Sequence, residues 1–518
     1  MTTNQLSAVA ESERSTLDPK RYWALAVIGI AQLMIVLDAS VVIVALPSAQ
    51  HALHISVANR QWVMSAYTLV FGSLLLLGGR VADYLGRRRV FIIGLLGFGV
   101  ASALAGLAQN SAMLFGARAL QGGFAAVMAP AALSLLTVTF TEAHERARAF
   151  GVYGAIAGSG AAIGLVLGGV LTQYASWRWT LLINTPIALI AAFMASRVIR
   201  ESRVEVRHGY DLPGALTSTA GLFLLVYGFT MVALHGWGSA LTVSLLTGAI
   251  VLLVAFVIIE MRVAHPLLPL KVVLERNRGG AFLASLLVGF SMLGTFLFLT
   301  YFLQGILGYS ALRTGFAFLP FSGGIIMGAT LASRLLPRTG PKALMVVGLS
   351  FATAGLLWFT RLGVDSSYLS HVLGPEILVS IGMGLAFVPM NSTSLFGVDE
   401  DNAGVASALV NTTQQVGGAL GTAFLNTVAA SSTAAFLLTR VVSTSVTRSA
   451  DVHGYTTAFE VSALLVAMAA VVAGVLIGTK RSHHAPASDG VTSWEDTSPR
   501  FEIEEIPSYR IGQQSNPE

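Results

Sequence analysis

The sequence predicts an all-α polytopic membrane protein with fourteen transmembrane helices and both termini cytoplasmic. Three observations carry this. Only 11% of the 518 residues are charged against 54% apolar, with a mean hydropathy of +0.72, whereas a soluble domain carries roughly 25% charged residues. The apolar residues fall in blocks of about 20, the length that crosses a hydrocarbon core roughly 30 Å thick. Lipid cannot satisfy backbone groups, so such blocks are helices rather than strands. Finally, the basic residues collect in alternate loops, the pattern of cytoplasmic segments.

In chain order the spans lie near 23–46, 62–83, 90–108, 113–137, 149–171, 180–198, 213–234, 241–261, 281–306, 313–335, 341–361, 373–395, 404–429 and 458–478. With the N-terminus inside, the inner segments collect 24 of the 31 Lys and Arg. The outer loops collect Arg60, Arg178, Arg313, Arg361, Arg440 and Arg448, and Arg118 stays within the membrane. Residues 1–22 form a cytoplasmic segment without the pattern of a cleavable signal. Charged breaks at 199–212 and 262–280 divide the rest. They give an N-terminal six-helix bundle at 23–198, a linker at 199–280 holding two inserted helices, and a C-terminal six-helix bundle at 281–478. The polar stretch 479–518, with its Pro and Ser, reads as a disordered cytoplasmic tail. Six plus six spans is how transporters are built from internal repeats. GGRVADYLGRRRV at 78–90 has a weak echo in SRLLPRTGPKA at 333–343.

Several chemistries are excluded. With no Cys there is no disulfide, thiolate or Cys-ligated metal. No nucleotide-binding loop, HExxH or GxSxG motif occurs, and nothing calls for a cofactor or metal. A membrane enzyme would need clustered His or Asp; His51 and His54 share an outer loop without an acidic partner. The +5 net charge is spent on sidedness and gives no reason to expect a nucleic-acid partner.

What remains is a short set of polar residues in apolar spans. Asp38 (in LDASVVIVALP) lies in mid-span, where an ionisable group costs at least roughly 2.5–3.5 kcal/mol and marks a functional site by default. Burial disfavours the charged form of a carboxyl, which suits it to bind and release a proton. Arg118 (in GARALQGG) lies in the fourth span at a similar depth, roughly 8–12 Å below the outer surface at 1.5 Å per residue. The two can meet, and a guanidinium coming or going switches the carboxyl between its forms. The run GGRVADYLGRRR offers Gly79, Arg80, Asp83, Gly86, Arg87 and Arg88 as a tight, charged turn at the inner membrane edge, able to act as a latch. The fifth span places Gly160, Gly164, Gly168 and Gly169 where helices can approach closely. Gln32, Gln121, Asn184, Tyr301, Gln304, Asn391, Asn411 and Gln415 complete a sparse polar set among Phe, Met and Leu. A cavity so lined suits hydrophobic or amphiphilic molecules.

These motifs resemble the major facilitator superfamily, and within it the fourteen-span drug:proton antiporters. GGRVADYLGRRR is similar to the family's loop motif, LDASVVIVALP to its first-span signature, RALQGGFAAVMAPA to its fourth-span motif and WRWTLLINTPIA to a further conserved-looking segment. The resemblance covers nearly all of residues 20–480. It implies two bundles rocking about a central site, with proton entry driving export of a hydrophobic, often cationic, drug-like compound by a monomer in the lipid bilayer. Asp38 is then the proton carrier, Arg118 its switch, and Asp83 with Arg87 the inner latch. The chain departs from the pattern at Leu165, where the fifth-span motif has proline, and at Ser40 and Ile43, where Thr and Asn are usual. The competing readings are a uniporter or importer of the same fold and a membrane sensor. Arg outnumbers Lys 27 to 4, which points to a GC-rich bacterial source and to the cytoplasmic membrane.

Overall fold

The computed structural model describes residues 21–478, apart from 57–58, 141, 203–210, 264–265, 267, 269, 399, 439 and 442. The segment 1–20, much of the charged break 199–212 and the tail 479–518 therefore lie outside the described residues. Among the described residues every regular element is helical.

The main helices are α1 (Arg21–Ala52), α2 (Trp62–Leu85), α3 (Arg87–Gly106), α4 (Ser111–Thr139), α5 (Ala143–Tyr174) and α6 (Asn184–Val198, entered through the single turn Trp179–Leu182). There follow α7 (Leu212–His235), α8 (Ala240–Arg262), α9 (Arg276–Tyr301), α10 (Leu319–Phe359), α11 (Leu373–Leu395), α12 (Glu400–Leu438) and α13 (Thr444–Leu476). Each expected span falls on one of these helices, and eleven helical stretches among the described residues are long and apolar enough to cross a bilayer.

Local chemistry sets the ends. Asn110, Asp211, Glu275 and Ser443 cap α4, α7, α9 and α13 by accepting first-turn backbone N–H groups. Gly86, at φ 103°, breaks the chain between α2 and α3, a conformation open to glycine alone without strain. The spans expected at 313–335 and 341–361 fall on the two halves of α10, which are two helices parted at Gly340 (φ 76°, ψ 168°, outside the helical range), with the short helix Ala311–Ala317 before them. The last two helices outrun their expected spans. α12 continues to Leu438 and α13 begins at Thr444, so most of what reads as an outer loop is helical. The Ser443 cap lets helix start in a polar stretch that hydropathy alone assigns to loop.

Helices α1–α6 pack among themselves, as do α9–α13. In lipid, association depends on close packing of small residues rather than on hydrophobicity, and glycines supply the contacts. A Cβ on Gly78 would overlap Ala126 O across α2 and α4, and one on Gly421 would overlap Phe290 O across α12 and α9. Helices α7 and α8 pair with each other, and α7 lies against both α2 and α12. There Thr219 Oγ1 donates to Ser73 O (3.0 Å), Tyr227 meets Trp62, and Phe229 meets Phe424.

The two helix groups touch at one end through short contacts. Gly169 of α5 rests on Ala311 O (2.8 Å to a built Cβ), and Gly315 on Leu165 O (2.5 Å). Gln304, in the π-turn Phe302–Ile306 that continues α9, donates to Val44 O at 3.0 Å. Arg60, before α2, lays its guanidinium 3.8 Å from the centre of the Tyr301 ring. It also hydrogen-bonds Tyr455, with Asp451 of α13 within electrostatic reach.

Candidate functional site

Five elements of the first group converge on one buried cluster. α1 brings Asp38, α4 brings Arg118 and Gln121 one turn apart, α3 brings Ser102, α6 brings Asn184, and α2 brings Val63 and Tyr67. Asp38, Arg118, Gln121 and Ser102 are fully buried, and Asn184 and Tyr67 are nearly so.

Arg118 Nη1 donates to Asp38 Oδ2 at 2.5 Å and to Gln121 Oε1 at 2.7 Å. Its Nε donates to Val63 O at 3.0 Å, and its face lies over the Tyr67 ring, 4.5 Å from the centroid. Asp38 Oδ1 accepts from Gln121 Nε2 (2.8 Å) and Asn184 Nδ2 (2.9 Å). The same two amides each reach Ser102 Oγ at 3.1 Å, and that hydroxyl donates to Leu181 O at 2.8 Å.

Removing two charges from water costs several kcal/mol per ion, offset only by good geometry and further hydrogen bonds. Here the carboxylate accepts from three N–H donors. All three are partners that suit a carboxylate.

The sequence-level residues sort unevenly. Asp38, Arg118, Gln121 and Asn184 are brought together, with the two amides holding the carboxylate. Tyr153 Oη donates to Gln32 at 2.5 Å, tying α5 to α1. Tyr301 and Gln304 lie at the contact between groups, and Asn391 donates to the carbonyl of its own helix, Phe387 O, at 3.0 Å. Asn411 is exposed, while Gln415 sits half-buried on α12 where Gly72 of α2 meets it. Ser102, Tyr67 and Val63 carry no sequence signal; a buried serine and a main-chain carbonyl look like any others until the fold gathers them.

At the opposite end, Gly79 rests against Pro130 (3.5 Å to a built Cβ), and Arg80 Nη2 donates to Pro266 O at 3.0 Å. The Arg87 N–H reaches Ser202 O (3.1 Å), and the Arg88 N–H reaches Glu201 Oε1 (3.1 Å). Arg88 also bonds Ser196 O through its side chain, and Arg89 pairs with Glu201 at 3.7 Å. The Asp83 side chain lies outside the described residues. In α5, Gly160 packs on Val36 (3.1 Å), Gly164 on Ser40 and Gly168 on Val41 O (2.9 Å). This stripe presses α5 onto α1 on either side of the Asp38 level, and Leu165 turns towards Gly315.

Comparison with known proteins accords with this geometry. The sequence profile of the Major Facilitator Superfamily matches residues 28–422. The puromycin resistance protein of Streptomyces alboniger is 51% identical over 466 residues, covering 89% of this chain and 92% of that protein. The cephamycin export protein of Amycolatopsis lactamdurans is 43% identical, covering 78% and 84%. The tetracenomycin C resistance and export protein of Streptomyces glaucescens is 32% identical, covering 83% and 80%. Among solved structures, a bacterial homologue of the lysosomal transporter Spinster, inward-facing and unoccupied, superposes with a TM-score of 0.62. It is 16% identical and covers 89% of this chain and 97% of that one.

Proposed function

Because the chain belongs to the Major Facilitator Superfamily and is therefore a multi-pass membrane transporter rather than an enzyme, we propose that it is a proton-coupled antiporter exporting hydrophobic or amphiphilic antibiotics. Its relatives are bacterial proteins of antibiotic resistance and export. In this reading the chain crosses the cytoplasmic membrane fourteen times with both ends inside. Helices α1–α6 and α9–α13 form the two bundles that rock, and α7 with α8 is the inserted pair between them.

The observation that carries the coupling is the buried ion pair Asp38–Arg118, braced by Gln121 and Asn184. A proton arriving at Asp38 releases Arg118, and substrate binding from the cytoplasmic side favours the ionised pair; the two ligands then exclude one another, as antiport requires. The glycine stripe from Gly160 to Gly168 lets α5 slide on α1 without side chains in the way, and Arg80, Arg87 and Arg88 hold the inner end.

Puromycin is the first compound to test, given the 51% identical relative. Expression in an efflux-deficient host should raise puromycin tolerance. In inverted vesicles an imposed pH gradient should drive puromycin uptake, and Asp38→Asn should abolish this while the protein still inserts. Undiminished uphill uptake by Asp38→Asn removes Asp38 from the mechanism. Uptake that ignores the gradient in the parent protein removes antiport.

A further inference from the structure

A second buried carboxyl lies far from Asp38 in sequence. Glu376, in the first turn of α11, is 1% exposed. Among the described residues no Lys, Arg or His pairs with it. The Phe321 backbone faces it, yet Oε1 has no hydrogen-bond partner. Its one side-chain neighbour is Tyr368, in the π-turn Tyr368–Val372 that leads into α11, with Oη 3.1 Å from Glu376 Oε2. The same phenol lies 2.7 Å from Ala317 O.

A phenol has one proton. Ala317 O, at 2.7 Å, can only accept it. The same hydroxyl also reaches Glu376 Oε2 at 3.1 Å, so one proton faces two acceptors; a proton on Glu376 would resolve the competition, the carboxyl then donating to Tyr368 Oη while the phenol donates to Ala317 O. The chain Glu376–Tyr368–Ala317 ends on the helix Ala311–Ala317, the segment on which Gly169 and Leu165 of α5 rest.

We propose that Glu376 is a second proton-binding site, which closes the contact between the two helix groups at this end when it takes up a proton. This rests on the antiport reading, in which that end faces outward. With the contact open, Glu376 meets external protons. Once protonated, it donates to Tyr368, which draws Ala317 and its helix into the closed arrangement. Deprotonated, Glu376 competes with Ala317 O for the Tyr368 proton and the chain comes apart. Protonation thus favours outward closure, the direction in which a proton-loaded antiporter returns. Asp38 and Glu376 then have different parts in the cycle.

Other titratable groups share this end. Tyr309 meets Tyr368 ring to ring at 6.3 Å and carries Arg313 over its face at 3.9 Å. His371 bonds Ser370 on the exposed side of the turn. Asp365 and Arg361 are exposed, the charged residues of α9 and α12 lie at their other ends, and those of α10 (Arg334, Arg338 and Lys342) flank its break at Gly340. Arg60 lies at the contact with Asp451 in electrostatic reach, and His51, His54 and His453 are further titratable residues of the segments read as outer.

The test uses the absence of native Cys. Leu165, 2% exposed beneath the contact, is changed to Leu165→Cys and labelled with a membrane-impermeant maleimide in right-side-out vesicles at a series of external pH values. Labelling should rise several-fold with external pH in the parent. Glu376→Gln, which keeps a donor towards Tyr368, should hold it low at every pH. Tyr368→Phe, which keeps the carboxyl but cuts the chain, should leave it high and flat. An unchanged pH profile in Glu376→Gln overturns the proposal and assigns the profile to the histidines or Asp451. If that variant fails to insert, an unchanged profile in Tyr368→Phe overturns it equally. Puromycin movement in vesicles of the parent protein reports antiport separately. Labelling that follows Glu376 without proton-driven puromycin movement overturns antiport and leaves the latch. Coupled movement with labelling indifferent to Glu376 overturns the latch alone.

Discussion

Replacing Asp38 by Asn leaves volume and shape nearly unchanged but removes a single charge, so its cost can be worked from the contacts. An amide oxygen can still accept from Gln121 and Asn184, but the amide nitrogen then faces Arg118 Nη1, donor against donor, where 2.5 Å now separates a charged pair. Arg118 is fully buried and keeps only Val63 O, Gln121 Oε1 and the Tyr67 face. Leaving one member of a buried pair uncompensated costs about 3–5 kcal/mol. At less than the roughly 2–4 °C per kcal/mol of a 150–250-residue domain, because the compact unit here is larger, the apparent midpoint of thermal unfolding in detergent should fall by several degrees, on the order of 5 °C. Adding Arg118→Gln removes the orphaned charge, so the double variant should recover most of that loss while proton-driven transport stays absent. Stability and coupling are thereby separated. A double variant no more stable than Asp38→Asn alone would refute the reasoning, because the penalty would then not come from the stranded guanidinium.

Two further outcomes follow from the packing. Gly164→Ala would drive a Cβ into Ser40 Oγ, so transport should fall with little change in membrane insertion, and Ser40→Gly should restore part of it; absence of rescue, scored as puromycin tolerance, would mean the α1–α5 contact is not what the glycine serves. Arg60→Ala removes the cation lying over Tyr301 and bonded to Tyr455, so maleimide labelling of Leu165→Cys should increase at every external pH, and labelling equal to the parent's would show that Arg60 does not hold the two helix groups together.

Much of the fold is legible in the sequence because each spanning helix is a local event. About 20 apolar residues must satisfy their own backbone in lipid, so composition alone locates the helices to within a few residues. Where it errs, as at the start of α13, a single cap extends helix into a polar stretch. At Gly340 hydropathy serves well, since the two spans it sees are two helices parted by that glycine's non-helical backbone. Asp38 and Arg118 are visible for the opposite reason: almost nothing else charged lies at their depth.

The sequence by itself determined the class of molecule, the position of its helices and the two charges that stand out in them. It could not say which buried polar groups meet. In an apolar helix the side facing lipid and the side facing protein are equally hydrophobic, so periodicity carries no record of which way a residue points. Only the tertiary structure turned Gln121 and Asn184 onto Asp38, set the Tyr368 hydroxyl between Ala317 O and Glu376, and placed Leu165 beneath the contact with Gly315. The first of those decisions falls where five helices converge on a few oxygen atoms. The physical reason is that a buried donor or acceptor must find its partner across helices, and the identity of that partner is a property of the packing.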